Sequence, residues 1–342
     1  MKKNTSIRVL VLVHSDLVPP EKATQKQVDQ SDWHTEYQIV HTLKQLGHEV
    51  NVLGVISDLE KIRDQLRIFK PHLVFNLLEE FDGNIHYDQH IVAYLELKKI
   101  PYTGCNPRGL TLARDKALSK KIMAYHRIKV PKFFVFPKNQ RISAKKNMPF
   151  PMIVKSLVDE ASMGISQASV VQNFADLKKR VHYIHQKYDT DAIAEQYIQG
   201  REFYVGIIGN KRLHMLPVWE LKLDHIPDSS RKFATERVKW DEKYRKKYGI
   251  KSVLAQGLEE KEINRIHKTC KKAYKALGLT GYARMDLRYT DNQDIYMIEA
   301  NPNPAIAKDD EFPESANNIG MTYTEMIAKI LSLGLSWYQS RR

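Results

Sequence analysis

GYARMDLRYTDNQDIYMIEANPNPA, residues 281 to 305, places charge where an ordinary core strand would not tolerate it. RMDLRY (284–289) and IYMIEAN (295–301) are apolar, aromatic runs of strand length, and TDNQD (290–294) between them has the composition of a hairpin turn. Side chains alternate faces along a strand, so Arg284 and Asp286 share one face, and Glu299 and Asn301 share a face of the next strand. One pleated surface then carries a guanidinium and three oxygen donors. A carboxylate without a partner is costly to desolvate there, so Glu299 needs a cation beside it. The donors Asp286, Glu299 and Asn301 suit magnesium, which keeps several waters and shares its shell with substrate phosphates. The competing account is structural: Asp286 pairs with Arg284 or Arg288, and Glu299 sits at a frayed strand end. Three donors in phase, with Asn-Pro-Asn-Pro completing the run, favour metal.

The 342 residues are enough for two or three domains with sizeable cores. No window approaches the eighteen apolar residues of a membrane span, and the five apolar residues between Arg8 and His14 are too few for a signal peptide. Cys105 and Cys270 lack disulfide or metal-ligand spacing and point to a reducing cytoplasm. The net charge of +14 is the compositional outlier. It fits a nucleic-acid surface, densest between Arg231 and Lys251, or scattered lysines serving a polyanionic substrate such as ATP. Acidic residues interrupt that cluster and no nucleic-acid-binding motif accompanies it, so nucleic acid is not the expected partner.

Up to about residue 100, continuous apolar strands alternate with amphipathic helices, which predicts a parallel sheet covered on both faces. Gly47 is placed to cap the first long helix. A helix is expected from Leu112, LARDKALSKKIMAYHRI, then short strands and the helix FADLKKRVHYIHQKY. Residues 221–257 lack periodicity, as a functional loop or lid would. Lys155 ends the strand PMIVK before a loop containing Ser162 and Gly164, a plausible phosphate clamp or simply a solvated strand end. In AIAEQYIQGREF, Glu195 and Tyr197 share a face and Glu202 follows the Gly200 turn; a base and a ribose, or a wet strand face, would suit them equally.

The order Lys116, Lys155, the Ser-Met-Gly loop, EQYIQGRE, Lys239, RMD and EANPNP resembles ATP-grasp enzymes, and most of all D-alanine–D-alanine ligases. NLLEEFDGN followed by a helix and IPYTGCNP extends the resemblance into the first hundred residues. It implies an α/β, ATP-grasp fold: a pre-ATP-grasp parallel-sheet domain (1–112), a central subdomain (113–200) and a catalytic subdomain (201–342), the last two clasping ATP. By the same resemblance Lys116, Lys155, Ser162 and Gly164 would meet the phosphates, Glu195, Tyr197 and Ile198 the adenine, and Glu202 the ribose. Asp286, Glu299 and Asn301 would hold two Mg2+ ions, with Mn2+ as the alternative, while Arg284, Lys155 and Lys239 would act in catalysis. The family reaction is amide formation through an acyl phosphate, in the cytoplasm, on small carboxylate and amine substrates; a homodimer is expected by analogy.

Departures fall on the amino-acid side. HSDLVPPEK replaces the family's Gly-Gly-x-Ser-x-Glu turn, and its supporting serine and tyrosine become Ala161 and Trp240. Glu79 and Glu80 stand where His-Gly is usual, and KDDEF, with Asp309, Asp310 and Glu311, follows Asn303-Pro304-Ala305 in place of the carboxylate-binding loop. Those acids repel a carboxylate and attract an amine, unless they form an exposed turn. The expectation is a carboxylate–amine ligase for substrates other than two D-alanines. A true D-alanine–D-alanine ligase and a non-catalytic nucleotide- or nucleic-acid-binding protein are the alternatives.

Overall fold

The computed structural model describes residues 6–158, 165–223, 225–226, 233, 235, 237–238 and 241–339. Ser162, Gly164, Lys239, Ala161 and Trp240 lie outside the described residues.

The first sheet is parallel, as the alternating strands and helices predict. Its strands β1 (Arg8–His14), β2 (Glu49–Val55) and β3 (Leu73–Asn76) lie in the order β2-β1-β3. Val9 to Val13 are wholly buried, because both faces of β1 are covered. Leu10 and Leu12 join Ile62, Ile91 and Leu95 of the helices Leu59–Phe69 and Asp88–Leu97. Val9 and Val11 join Ile39 and Leu43 of the helix His34–Gln45, together with Ile327, Ile330 and Leu331 of the last helix, Tyr323–Gln339. Each such side chain contributes roughly 1.5–3 kcal/mol of burial. Gly47, at φ +84°, follows the helix His34–Gln45 in the left-handed conformation of a C-terminal cap. The last helix crosses so near the first sheet that a Cβ at Gly334 would lie 2.4 Å from the Tyr102 carbonyl oxygen.

The second sheet is antiparallel, in the order β4-β7-β5-β6, from β4 (Phe133–Phe136), β5 (Met152–Ser156), β6 (Val170–Val171) and β7 (Ala192–Gln196). The third comprises β8 (Arg201–Ile208), β9 (His214–Lys222), β10 (Lys251–Leu254), β11 (Tyr282–Tyr289) and β12 (Ile295–Pro302), in the antiparallel order β10-β9-β8-β11-β12. The aperiodic region 221–257 thus ends in order: a short helix, Glu242–Lys247, and β10, which extends the sheet beyond β9.

The helix expected from Leu112 divides in two. Asp115 is extended (φ −77°, ψ 103°), and its carboxylate accepts hydrogen bonds from the backbone N–H of Ala117 (2.9 Å) and Leu118 (2.8 Å). It therefore ends the helix Pro107–Arg114 and caps a new one, Lys116–Tyr125, whose first residue is Lys116.

The loop after the helix Asp88–Leu97 also grips residues that flank the third sheet's hairpin. Cys105 N–H donates to Asn303 Oδ1 (2.8 Å), and Asn106 N–H to Thr280 Oγ1 (2.9 Å). Gly281, at φ +74°, permits this contact, since a Cβ there would meet the Gly104 carbonyl oxygen at 2.5 Å.

Candidate active site

The hairpin β11–β12 sets Asp286 opposite Glu299 and Arg284 opposite Asn301. A bulge between Asp286 and Leu287 then shifts the register, so the four polar residues form one block at the far end from the turn. The Arg284 guanidinium holds Asp286 in a two-point grip, Nε to Oδ1 at 2.8 Å and Nη2 to Oδ2 at 2.9 Å. It also lies 4.8 Å from the ring centre of Tyr204 and 3.6 Å from Glu311 Oε2. Burial alone would lower its pKa, but Asp286 and then Glu311 outweigh burial and raise it well above the usual value. The structural pairing of Asp286 with Arg284 therefore exists alongside the donor set.

Lys116 and Lys155 converge on this block from different elements. Lys116 Nζ lies 3.3 Å from Glu299 Oε1, placed there by the Asp115 cap. Lys155, on β5, lies 3.2 Å from Glu195 Oε1 on β7. Lys120 had no place among the expected site residues. Its ammonium is fully buried, 2.9 Å from the same Glu195 oxygen and 2.7 Å from the Ile298 carbonyl to which it donates. Its position one helical turn beyond Lys116 was the available signal. Burial would raise the Glu195 pKa, but the two ammoniums outweigh it and hold the carboxyl below the usual range. Glu195, at 1 % exposure, sits between these lysines behind the wall of the adjoining cleft.

That cleft, about 90 Å3, runs between the second and third sheets. Ile153, Ile165, Ile198, Leu287 and Ile298 give it apolar walls, Tyr197 packs edge-on to Phe233 (5.9 Å between centres), and Lys155, Asp286 and Glu299 close one end. Glu202 stands at its rim. Its two oxygens accept from Tyr204 OH (2.9 Å) and Arg288 Nη2 (2.6 Å), so Arg288, a possible partner of Asp286 by sequence, instead helps to orient Glu202. Apolar walls with charge at one end suit an aromatic ring.

A second cavity of about 840 Å3 adjoins it. Arg284, Glu299 and Asn301 of the hairpin, Glu79 and Glu80, and Asn303, Pro304, Ala305, Asp309, Asp310 and Glu311 are among the residues that line it. Glu299 alone of the four hairpin residues borders both spaces. Glu311 accepts from the Ser252 hydroxyl and faces Arg284, so it steadies the guanidinium. His14 lies 3.6 Å from Glu80 and 3.7 Å from Asp16, at the turn where the resemblance to ligases fails.

Burial, followed by the charges of Asp309 and Glu311, pushes the Asp310 carboxyl up to about 6 against the hydrogen bond from Ala307 N–H (2.6 Å). The stability contributed by its protonated form is full below the ordinary value of 3.8 and is lost as pH rises through about 6. The loss amounts to roughly 2–3 kcal/mol. Asp310→Asn cannot ionise, so its advantage in melting temperature over wild type should grow from about pH 4 to pH 7 and then level off. A difference that stays flat across that range removes the assignment.

No group of three His, Cys, Asp or Glu side chains able to hold a metal occurs among the described residues. The donors present are two carboxylates and an amide, and Asn301 Nδ2 is buried without a hydrogen-bond partner among them. This is an incomplete oxygen set rather than a closed cage, and it fits an ion that retains waters and takes phosphate oxygens. No helix among the described residues is long and apolar enough to cross a membrane.

The chain has relatives among known proteins. Residues 121–332 match the model of a family described as D-ala D-ala ligase C-terminus. A D-alanine–D-alanine ligase of Pelagibacter ubique is 29% identical over 302 residues, covering 87% of this chain and 91% of that protein. An uncharacterised protein of Sinorhizobium fredii, y4sG, is 27% identical over 300 residues, 86% of this chain and 85% of that one. The crystal structure of D-alanine–D-alanine ligase from Bacillus anthracis complexed with ATP superposes with a TM-score of 0.76 at 21% identity, over 98% of this chain and 100% of that one.

Proposed function

Because the chain belongs to the D-alanine–D-alanine ligase C-terminus family, whose ATP-grasp members are ATP-dependent carbon–nitrogen ligases, we propose that it joins a carboxylate to an amine through an acyl phosphate and that its substrates are other than two D-alanines. The observation that carries this reading is the place of Glu299 at the border of the narrow cleft and the large cavity. A phosphoryl group passing from a nucleotide in the first to a carboxylate in the second crosses that border.

In this reading the isoleucine-lined slot takes the adenine, Glu202 the ribose, and Lys155 and Lys116 the phosphates. Asp286, Glu299 and Asn301 would hold the divalent ion, in our reading two Mg2+ ions, which supply charge neutralisation at the transferring phosphoryl group. The substrate carboxylate attacks the terminal phosphorus and ADP departs. An amine then attacks the acyl carbon, and phosphate leaves. Arg284, fixed between Asp286, Glu311 and the Tyr204 ring, is aimed at the oxyanion of that second step. Action in the cytoplasm follows from the use of ATP.

The substrate preference rests on the cavity wall. Acids at 309–311 occupy the segment where the resembling ligases hold a carboxylate, and His14 faces Glu80 where they hold an ammonium. Purified protein with Mg2+ and ATP, offered carboxylates and amines singly and in pairs, should release ADP only with a pair that excludes D-alanine alone. Release with D-alanine as the sole substrate would overturn the preference. Lys155→Ala is expected to weaken binding of a fluorescent ATP analogue by at least about tenfold, the loss of one charge-assisted phosphate contact. Unchanged affinity removes Lys155 from the phosphate site.

A further inference from the structure

Among the described residues, the charge of the large cavity runs against that of the chain: the chain carries a net +14, yet the described residues that line the 840 Å3 cavity include seven carboxylates and three arginines. Each arginine is already committed within the protein. Arg114 pairs with Asp88, Arg245 donates to the Val238 carbonyl (2.8 Å), and Arg284 is held by Asp286. What the described residues offer a ligand there is the set of carboxylates Glu80, Asp309 and Asp310. Asp309 is exposed, and among the described residues the ion-pair partner of Glu80 is a histidine, His14, at 3.6 Å. The volume lies in the range of sites for ligands far larger than alanine.

We propose that the amine substrate is a small polycation without a carboxylate, a diamine or polyamine, seated with one amino group toward Arg284 and Glu299 and its further ammonium groups toward Glu80, Asp309 and Asp310. The proposal rests on the ligase reading of the same site. The reacting amine, in its neutral form, attacks the acyl-phosphate carbon. The C–N bond forms, the C–O bond to phosphate breaks, phosphate departs, and the ammonium proton passes to solvent. The remaining ammonium groups stay charged, which separates a diamine from a monoamine of equal length by Coulomb attraction alone.

Calorimetric titration of the full-length protein with 1,4-diaminobutane, n-butylamine and D-alanine tests this, both with Mg2+ and a non-hydrolysable ATP analogue and without nucleotide. The diamine is expected to bind at least tenfold tighter than n-butylamine, and D-alanine more weakly than either. Raising the salt should erode the diamine's advantage. The double substitution Asp309→Asn with Asp310→Asn should reduce that advantage to within about twofold; Glu80→Gln serves the same end if the double variant does not fold. No detectable diamine binding, parity with n-butylamine or D-alanine, or an advantage unchanged in a folded variant overturns the proposal. A diamine preference without ADP release in any substrate pairing would sink the ligase reading alone. ADP release with an amino-acid acceptor and no diamine preference would sink this one alone.

Discussion

Glu299→Gln is expected to lower turnover by about 10²- to 10³-fold, the size of effect seen when a preorganised electrostatic group is removed from a transferring centre. The residue borders both the narrow cleft and the large cavity, faces Asp286 across the hairpin and lies 3.3 Å from Lys116. Glutamine keeps the shape and one carbonyl oxygen but loses the charge that would draw a divalent ion and hold Lys116 in place. The side chain is partly exposed, so the fold should survive, with a melting temperature within a few degrees of wild type. ADP release with the best substrate pair is the measurement, alongside thermal unfolding. Turnover near the wild-type level in a folded variant would sink the metal assignment.

A different kind of loss is expected at Glu195→Gln. The wild-type carboxylate has two ammoniums within 3.2 Å, all three groups are nearly inaccessible to solvent, and Lys120 is wholly buried. Removing the anion leaves two like charges facing each other in low dielectric, so the fold should weaken by about 3–5 kcal/mol. Replacing the lysine as well, Lys120→Met with Glu195→Leu, should recover part of the loss, because an apolar pair of similar volume removes two of the three buried charges and leaves Lys155 with the charges of Glu299 and Asp286. Urea unfolding of the three proteins measures both effects. A Glu195→Gln variant within about 1 kcal/mol of wild type would mean that water reaches the triad. Because Lys155 belongs to the same triad and borders the cleft, reduced nucleotide affinity should accompany the instability.

The hairpin was legible in the sequence because a period of two leaves little freedom: once RMD and EAN are strands, their polar side chains must share faces, and the register adds only which pairs oppose. The parallel sheet was legible for a similar reason, since residues buried on both faces read as unbroken apolar runs. Asp115 was harder to read. An aspartate inside an amphipathic pattern is as compatible with a continuous helix as with a cap, and only its extended backbone decides. Lys120 was missed because a lysine in a helix is ordinarily solvated, and its burial depends on Glu195 and Ile298, distant in the chain. The grip of Cys105 and Asn106 on Asn303 and Thr280 was beyond reach because a turn-rich segment reads as an exit from one unit, with nothing local to name its partner.

The last helix, Tyr323–Gln339, gives the molecule an order in time. Val9 and Val11 leave the ribosome long before part of the cover over their face, Ile327, Ile330 and Leu331, has been made. In that interval this side of the first sheet is an apolar surface without its final layer. Nascent chains of this protein therefore depend, until the residues of that helix have emerged, on whatever shields such surfaces from one another.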